Sequence, residues 1–499
     1  MIVQPKFWVL SLLILVGGID PSSAAPASVD PKVIHVINRL SFGPRPGDMQ
    51  RVKSMGVDRY IKEQLSPDTI SEPQSLTSQI SQLETLRLNT VEISQYIRPQ
   101  PKPSREEKKA AQKKIDQIFQ EAVQARLFRS AASPRQLQEV MVDFWYNHFN
   151  VYSEKGRDRY LVGAYEQEAI RPYALGRFRD LLGATAHHPA MLVYLDNWQN
   201  QVNNRPNAKG KLQTVNENYA RELMELHTLG VKGGYSQQDV IALARIFTGW
   251  GLSRLNQQTN GSSLFYFDPK RHDLSDKVFL GHTIKGSGEA EGEAALDILA
   301  RSPATARHIS YKLAQYFISD RPPDALVKRL TQKFIATDGN IRTVLDTLFH
   351  SPEFWDAKNF NTKFKTPLQY AISAVRATGV EVKNTRPISQ ILTNLEMPLY
   401  GCRTPDGYKN TEDTWLNPEA INRRLNFATA IASGRVPLAE IPNNQNKNNQ
   451  ISPTQPVDAL QLANTLGNFF SAKTQSAIAS SPPNLHAALI LGSPEFMRR

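Results

Sequence analysis

The chain has one cysteine, Cys402, in 499 residues. It closes no disulfide on itself, so its stability must come from packing. A lone thiol in such a chain is most often buried and behaves as a small apolar group. Past residue 25 no apolar run is long enough to span a bilayer, and the remainder is expected to be soluble, without a transmembrane segment. Several motifs are also missing: a Gly-rich loop ending in Gly-Lys-Ser/Thr, a Gly-x-Ser-x-Gly elbow, His-Glu-x-x-His, and Cys-x-x-Cys-His. Their absence removes P-loop phosphate binding, nucleophile-elbow hydrolysis, zincin chemistry and covalent haem. No nucleotide cofactor is expected.

Positive charge is in excess. The formal net charge is +12, and Lys102 to Arg129 alone carries eight basic and four acidic residues. Such a field favours anionic partners, an acidic polysaccharide among them. It also suits an ordinary solvated helix face. No nucleic-acid module accompanies it, so no nucleic-acid partner is expected. At the N-terminus, Lys6 precedes an apolar stretch from Phe7 to Ile19 and the small residues Ser22, Ser23, Ala24 and Ala25. That order reads as a secretory signal over residues 1–25, with cleavage after Ala24 or Ala25. The stretch of about 13 residues is short for an uncleaved anchor. The expected address is periplasmic or secreted.

Helical signals dominate the chain beyond residue 30. Residues 30–65 read as two short helices. Residues 66–104 are polar, end in alternating prolines, and read as a linker or insertion. A long helix is expected from Arg105 to about Arg129. Ser133-Pro134-Arg135-Gln136 and Thr366-Pro367-Leu368-Gln369 have the form of capping boxes, Ser302-Pro303 has the same cap and proline, and Gly379 suits a helix stop. Leu264 to Asp268 and Lys277 to Ile284 are short aromatic or β-branched runs and read as one hairpin. Residues 433–456 are rich in Asn, Gln and Pro and read as a loop.

The segment Asn216 to Gly230 is densest in chemistry. Read as a helix, it places Asn218, Glu222, Glu225 and Leu229 within about 60° of one another, beside the apolar strip of Tyr219, Leu223 and Leu226. Glu222 and Glu225, one turn apart, can bind a divalent cation or divide acid and base roles. Arg221 and Glu225 equally form an i, i+4 surface pair. His227 lies roughly 150° from the glutamates and reads as a packed histidine. His272-Asp273, on the turn of the expected hairpin, is a reasonable source of a ligand or a base. His148 shares a stripe with Leu137, Met141 and Phe144 and so points toward the core. His188 caps a helix, and Trp250, if exposed, would stack on a sugar ring.

These strings carry a resemblance. Asn38 to Gly43, Phe144 to Phe149, Leu192 to Asn197, Asn216 to Gly230, Phe247 to Trp250, His272-Asp273 with Lys277, Pro303 to Ala306 with Lys312-Leu313, and Met397 to Arg424 together resemble the bacterial domain-of-unknown-function 1800 family. The resemblance runs from about residue 32 to 432. It implies an exported, mainly helical protein of undetermined activity, commonly encoded beside a sulfatase-like partner, and it supplies no catalytic residues.

The expected fold is mainly α: an irregular, orthogonal multi-helix bundle over residues 26–432 with one small β-hairpin near 264–284, and a helical segment at 457–499 packed on it. The leading functional expectation is a metal-assisted hydrolase or lyase acting on an anionic envelope or extracellular polymer. In it Glu222, Glu225 and His272 are catalytic. Glu222, Glu225, His272, Asp273 and His148 hold a divalent metal ion. Asn218, Trp250 and Arg221 contribute to binding. The alternative is a non-catalytic scaffold for an exported, sulfatase-like partner.

Overall fold

Local capping chemistry sets many of the helix starts. The Arg105–Ala132 helix opens on a reciprocal box between Ser104 and Glu107. Pro303–Phe317 begins behind Ser302, whose hydroxyl accepts from the Ala304 N–H. Pro367–Thr378 opens on the Thr366–Gln369 box and closes on Gly379 in the left-handed region. These interactions satisfy N–H and C=O groups that helix ends otherwise leave bare. The computed structural model describes residues 30–97, 102–202, 215–253, 263–439 and 455–499. The expected signal at 1–25 lies outside the described residues, as does most of the 433–456 loop.

The fold is mainly α, with two small two-stranded sheets among the described residues. Its core runs through the wholly buried Trp145, Phe149, Tyr165, Phe178, Phe247 and Trp250. The C-terminal His486–Leu491 helix packs on Pro418–Ala432, and Phe364 forms a β-bridge with Arg498. No helix of the described residues is long and apolar enough to cross a membrane.

Four local expectations are corrected. Residues 30–65 form three helices, Pro31–Leu40, Asp48–Met55 and Val57–Gln64. The polar stretch after residue 66 is folded rather than a linker: it forms Gln74–Ser81 and Thr90–Tyr96 and buries Leu76, Leu83, Val91 and Ile93. Its polar groups are tied down, since Glu121 accepts from the N–H and hydroxyl of Thr85 and Glu168 from those of Thr90. Ser133 closes no capping box: its hydroxyl accepts from the Arg135 N–H and donates to Glu72, and the next helix begins only at Gln136. The single hairpin is two separate pairings: Phe265–Phe267 runs antiparallel to Trp250–Leu252, and Lys277–Phe279 pairs with His282–Ile284. The Phe265–Phe267 strand found its partner upstream, which local pattern could not reveal.

Candidate functional site

A cavity of about 300 Å³ opens where four distant parts of the chain meet. Its walls include His148 at the end of the Gln136–His148 helix, Glu225 and Leu226, His308 and Lys312 of Pro303–Phe317, and Asp406 with Lys409 on a loop. The volume is at the small end of the range for small-molecule sites.

Two close approaches assemble it. The helix that starts at Asn218 loosens into a π-turn over Leu223–His227, a wider winding often found at functional sites. The carbonyls of Leu226 and His227 then receive imidazoles. His308 Nε2 lies 3.3 Å from Leu226 O, and His148 Nε2 lies 3.0 Å from His227 O. A carbonyl only accepts, so each ring carries its proton on Nε2 and leaves Nδ1 as a lone pair. Gly230 ends the turn at φ +82°, and a Cβ there would sit 2.9 Å from His308 Nδ1. On the opposite wall Gly407, at φ +71°, lets the loop press on Asn147; a Cβ there would meet Asn147 O at 2.1 Å. Asn147 holds the loop by exchanging two hydrogen bonds with the Tyr408 backbone, at 2.7 and 2.8 Å.

The electrostatics of this site are unusual. Lys312 is half-buried at the wall and has no hydrogen-bond or ion-pair partner among the described residues. Burial pulls its ammonium down to about 8, with Asp406 raising it and Lys409 lowering it to a lesser extent. Burial and the nearby Lys312 charge also keep the three imidazoles neutral. His227 is pushed down to about 3, His308 to about 4, and His148 well below its usual value. Asp406 is held below the usual carboxylate range despite its burial, by bonds to Lys409, at 2.6 Å, and Thr404. Glu222 is raised by burial, by Glu225 and by Asp406. The cavity thus combines an amine without a partner among the described residues, pulled down to about 8, with neutral rings and adjacent carboxylates.

Of the residues singled out from sequence, His148 and Glu225 reach this cavity. Glu222 stands behind Glu225, close enough to feel Asp406. Arg221 ties Glu217 at 2.9 Å and Glu225 at 3.5 Å, the surface pairing that its i, i+4 spacing allows. Asn218 donates to Leu195 O and serves the helix start.

His272 and Asp273 are elsewhere. His272 Nδ1 faces Thr248 O at 2.7 Å and its Nε2 faces Glu291 Oε1 at 2.9 Å, with Lys277 on the other carboxylate oxygen at 2.6 Å. All three side chains are fully buried. Both ring nitrogens are occupied, so His272 offers no ligand to Glu222 and Glu225, and the expected convergence is corrected. Asp273 pairs with Arg245 at 2.6 Å. Trp250 is wholly buried, stacked on His187 at 4.5 Å, and is no exposed sugar platform. Among the described residues no group of three or more His, Cys, Asp or Glu side chains is placed to hold a metal ion.

Sequence reasoning missed Lys312, His308, Asp406 and Lys409, and read His227 only as packing. One signal was present: His308, Lys312 and Tyr316 stand at i, i+4 and i+8 of a single helix, a stripe of polar groups on a buried face.

The family match agrees with the resemblance. The family described as "Protein of unknown function (DUF1800)" matches residues 35–498. The chain belongs to this family. No curated protein and no solved structure matches it. The strings by which this DUF1800 chain resembles its family include Phe144 to Phe149, Asn216 to Gly230, Lys312-Leu313 and Met397 to Arg424, and all of them supply walls of the cavity.

Proposed function

We propose that the cavity is the active site of an extracytoplasmic lyase that removes a proton from an anionic polymer, with Lys312 as the base. The observation that carries this reading is the amine itself: it stands at the cavity wall, lacks a partner among the described residues, and is pulled down to about 8. A buried lysine tuned in this way is a competent general base near physiological pH. Lys409, exposed on the same wall beside Asp406, supplies the positive charge that attracts a carboxylate-bearing substrate.

In the proposed step the Lys312 amine takes the proton from the carbon next to the substrate carboxylate. The released electron pair forms a carbon–carbon double bond, and the bond to the glycosidic oxygen breaks. That oxygen takes a proton from solvent water as it leaves, and the hydroxide so formed takes up the proton held on Lys312. With the imidazoles of His148 and His308 neutral, the positive charge facing the substrate is that of Lys409.

The test is turnover of uronate-containing polysaccharides, read as unsaturated ends. Activity should rise about tenfold per pH unit up to roughly pH 8 and then level, as deprotonation of the base completes. Lys312→Met should lower kcat by about 10²–10⁴-fold, the usual contribution of a general base. Full activity in Lys312→Met would sink the proposal. So would a pH profile unchanged by Lys312→Arg.

A further inference from the structure

A second concentration of charge lies beside Tyr316, which also lines the cavity. Arg39, Lys363, Lys365, Arg424 and Arg499 are all buried there, brought together from the first helix, the segment that pairs with the C-terminal residues, and the Pro418–Ala432 helix. Arg499 is the hub: its charge acts on Arg39, Lys363 and Lys365.

Their partners are few. Arg499 Nη2 donates to Tyr316 O at 2.9 Å, with the guanidinium 4.4 Å from the ring centre. Arg39 Nη2 donates to Asn359 O and to Thr362 Oγ1 at 3.4 Å, Lys363 donates to Asn410 O at 2.9 Å, and Arg424 Nη2 donates to Lys365 O at 2.8 Å with its guanidinium over Phe364 and Tyr370. Lys365 donates to Ser373 Oγ at 2.8 Å and lies over Phe496. In Arg39, Arg424 and Arg499 alike, Nε and Nη1 are buried with no partner among the described residues.

Negative charge does not balance this. Asp320 pairs with Lys363 and its charge also reaches Arg39 and Arg499. The other nearby buried acids bond elsewhere, Asp143 and Glu166 to Arg126 and Glu139 to Arg171, with Asp143 acting on Arg499 only through space. Even a carboxylate counted at Arg499 leaves the cluster positive. A lysine can relieve such strain by releasing its proton, whereas a guanidinium cannot. Burying unpaired charge carries a large free-energy penalty, and leaving a charged donor unsatisfied adds to it. The chemistry that answers several guanidinium donors at once is a tetrahedral oxyanion.

We infer that Arg499 and Arg39, with Lys363 and Lys365 beside them, hold a buried inorganic oxyanion, phosphate or sulfate, as a resident structural ligand. This site is separate from the Lys312 cavity and does not depend on its activity.

The test uses the full chain, exchanged exhaustively into chloride buffer, then denatured and analysed by ion chromatography for phosphate and sulfate. In parallel, thermal unfolding is followed with phosphate, sulfate or chloride at equal ionic strength. The expected result is either about one oxyanion released per chain or a Tm raised by one oxyanion well beyond chloride, as ligand linkage requires. The arms tell phosphate from sulfate. Lys365→Met, which removes a charge without leaving a guanidinium unpaired, should weaken retention or the Tm response. Arg39→Met should abolish it, and if that variant does not fold, the chromatography on the unaltered chain still decides. Release of neither anion, together with equal response to all three salts, overturns the inference and leaves water as the partner of those arginines. A salt-specific response that is unchanged in Lys365→Met and Arg39→Met overturns it too.

Discussion

Two places in this protein set a histidine, a lysine and a carboxylate close together, and they have opposite characters. Around Glu291 both carboxylate oxygens have partners. His272 and Lys277 take one carboxylate oxygen each, the Ser287 and Gly288 N–H groups donate to Oε1, and Lys277 also reaches the Asp273 carbonyl. Around Lys312 the amine has no such partner among the described residues, His148 Nδ1 is bare, and both ring nitrogens of the buried His227 are bare. The first arrangement is a closed ion network that holds two small sheets and a helix together. The second keeps donors and acceptors in reserve at a cavity. Similar residue types thus serve architecture in one place and, in the proposed lyase, chemistry in the other. What separates them is whether partners arrive from neighbouring elements.

Substitution should expose this contrast. Glu291→Gln should destabilise the fold by about 3–5 kcal/mol, the usual effect of breaking a buried ion pair and stranding its cations. Lys312→Met should leave stability within about 1 kcal/mol of the parent or raise it, because it removes an unpaired, half-buried charge. Urea unfolding of the two variants measures both, and equal losses would erase the distinction between the two clusters.

The pH dependence of stability sharpens it further. The folded Lys312 ammonium is lowered to about 8 from an ordinary 10.5. Between those values the unfolded chain binds the proton that the folded chain has released, so stability gains with rising pH across that window. The Lys312 share should be on the order of 1–3 kcal/mol, reduced by solvent screening at a half-buried site. It is measured as the difference between parent and Lys312→Met in unfolding free energy at pH 7 and pH 10, and a constant difference would contradict it.

Gly407→Ala should cost about 1–3 kcal/mol from the left-handed backbone alone. It should also lift the Asp406 loop off Asn147 and lower turnover without touching Lys312. Arg221→Ala should have the smallest effect, within about 1 kcal/mol in stability, as expected of a surface pair. A large loss of activity in that variant would make the Arg221–Glu225 pair part of the working site rather than a surface pair.

The helical class, the Ser302 and Thr366 caps, the stop at Gly379 and the long helix from Arg105 were all legible in the sequence, because each rests on interactions within a few residues. The core-facing stripe that holds His148 was legible for the same reason. The polar stretch after residue 66 was misread because its anchors, Glu121 and Glu168, lie on other helices. The strand at Phe265–Phe267 was paired with the wrong partner because antiparallel pairing does not require adjacency in sequence.

For the site the limit is sharper. A wheel of constant pitch fixed attention on Glu222 and Glu225 and set His227 aside. The π-turn at Leu223–His227 abandons that pitch and turns the Leu226 and His227 carbonyls toward imidazoles from two other helices. By itself the sequence determined the family, the mainly helical class and most of the caps, since those depend on short-range bonding and periodicity. Tertiary structure alone decided that His272 is sealed against Glu291 while Lys312 stands at a cavity without a partner among the described residues. Which charges find partners depends on contacts between residues far apart along the chain.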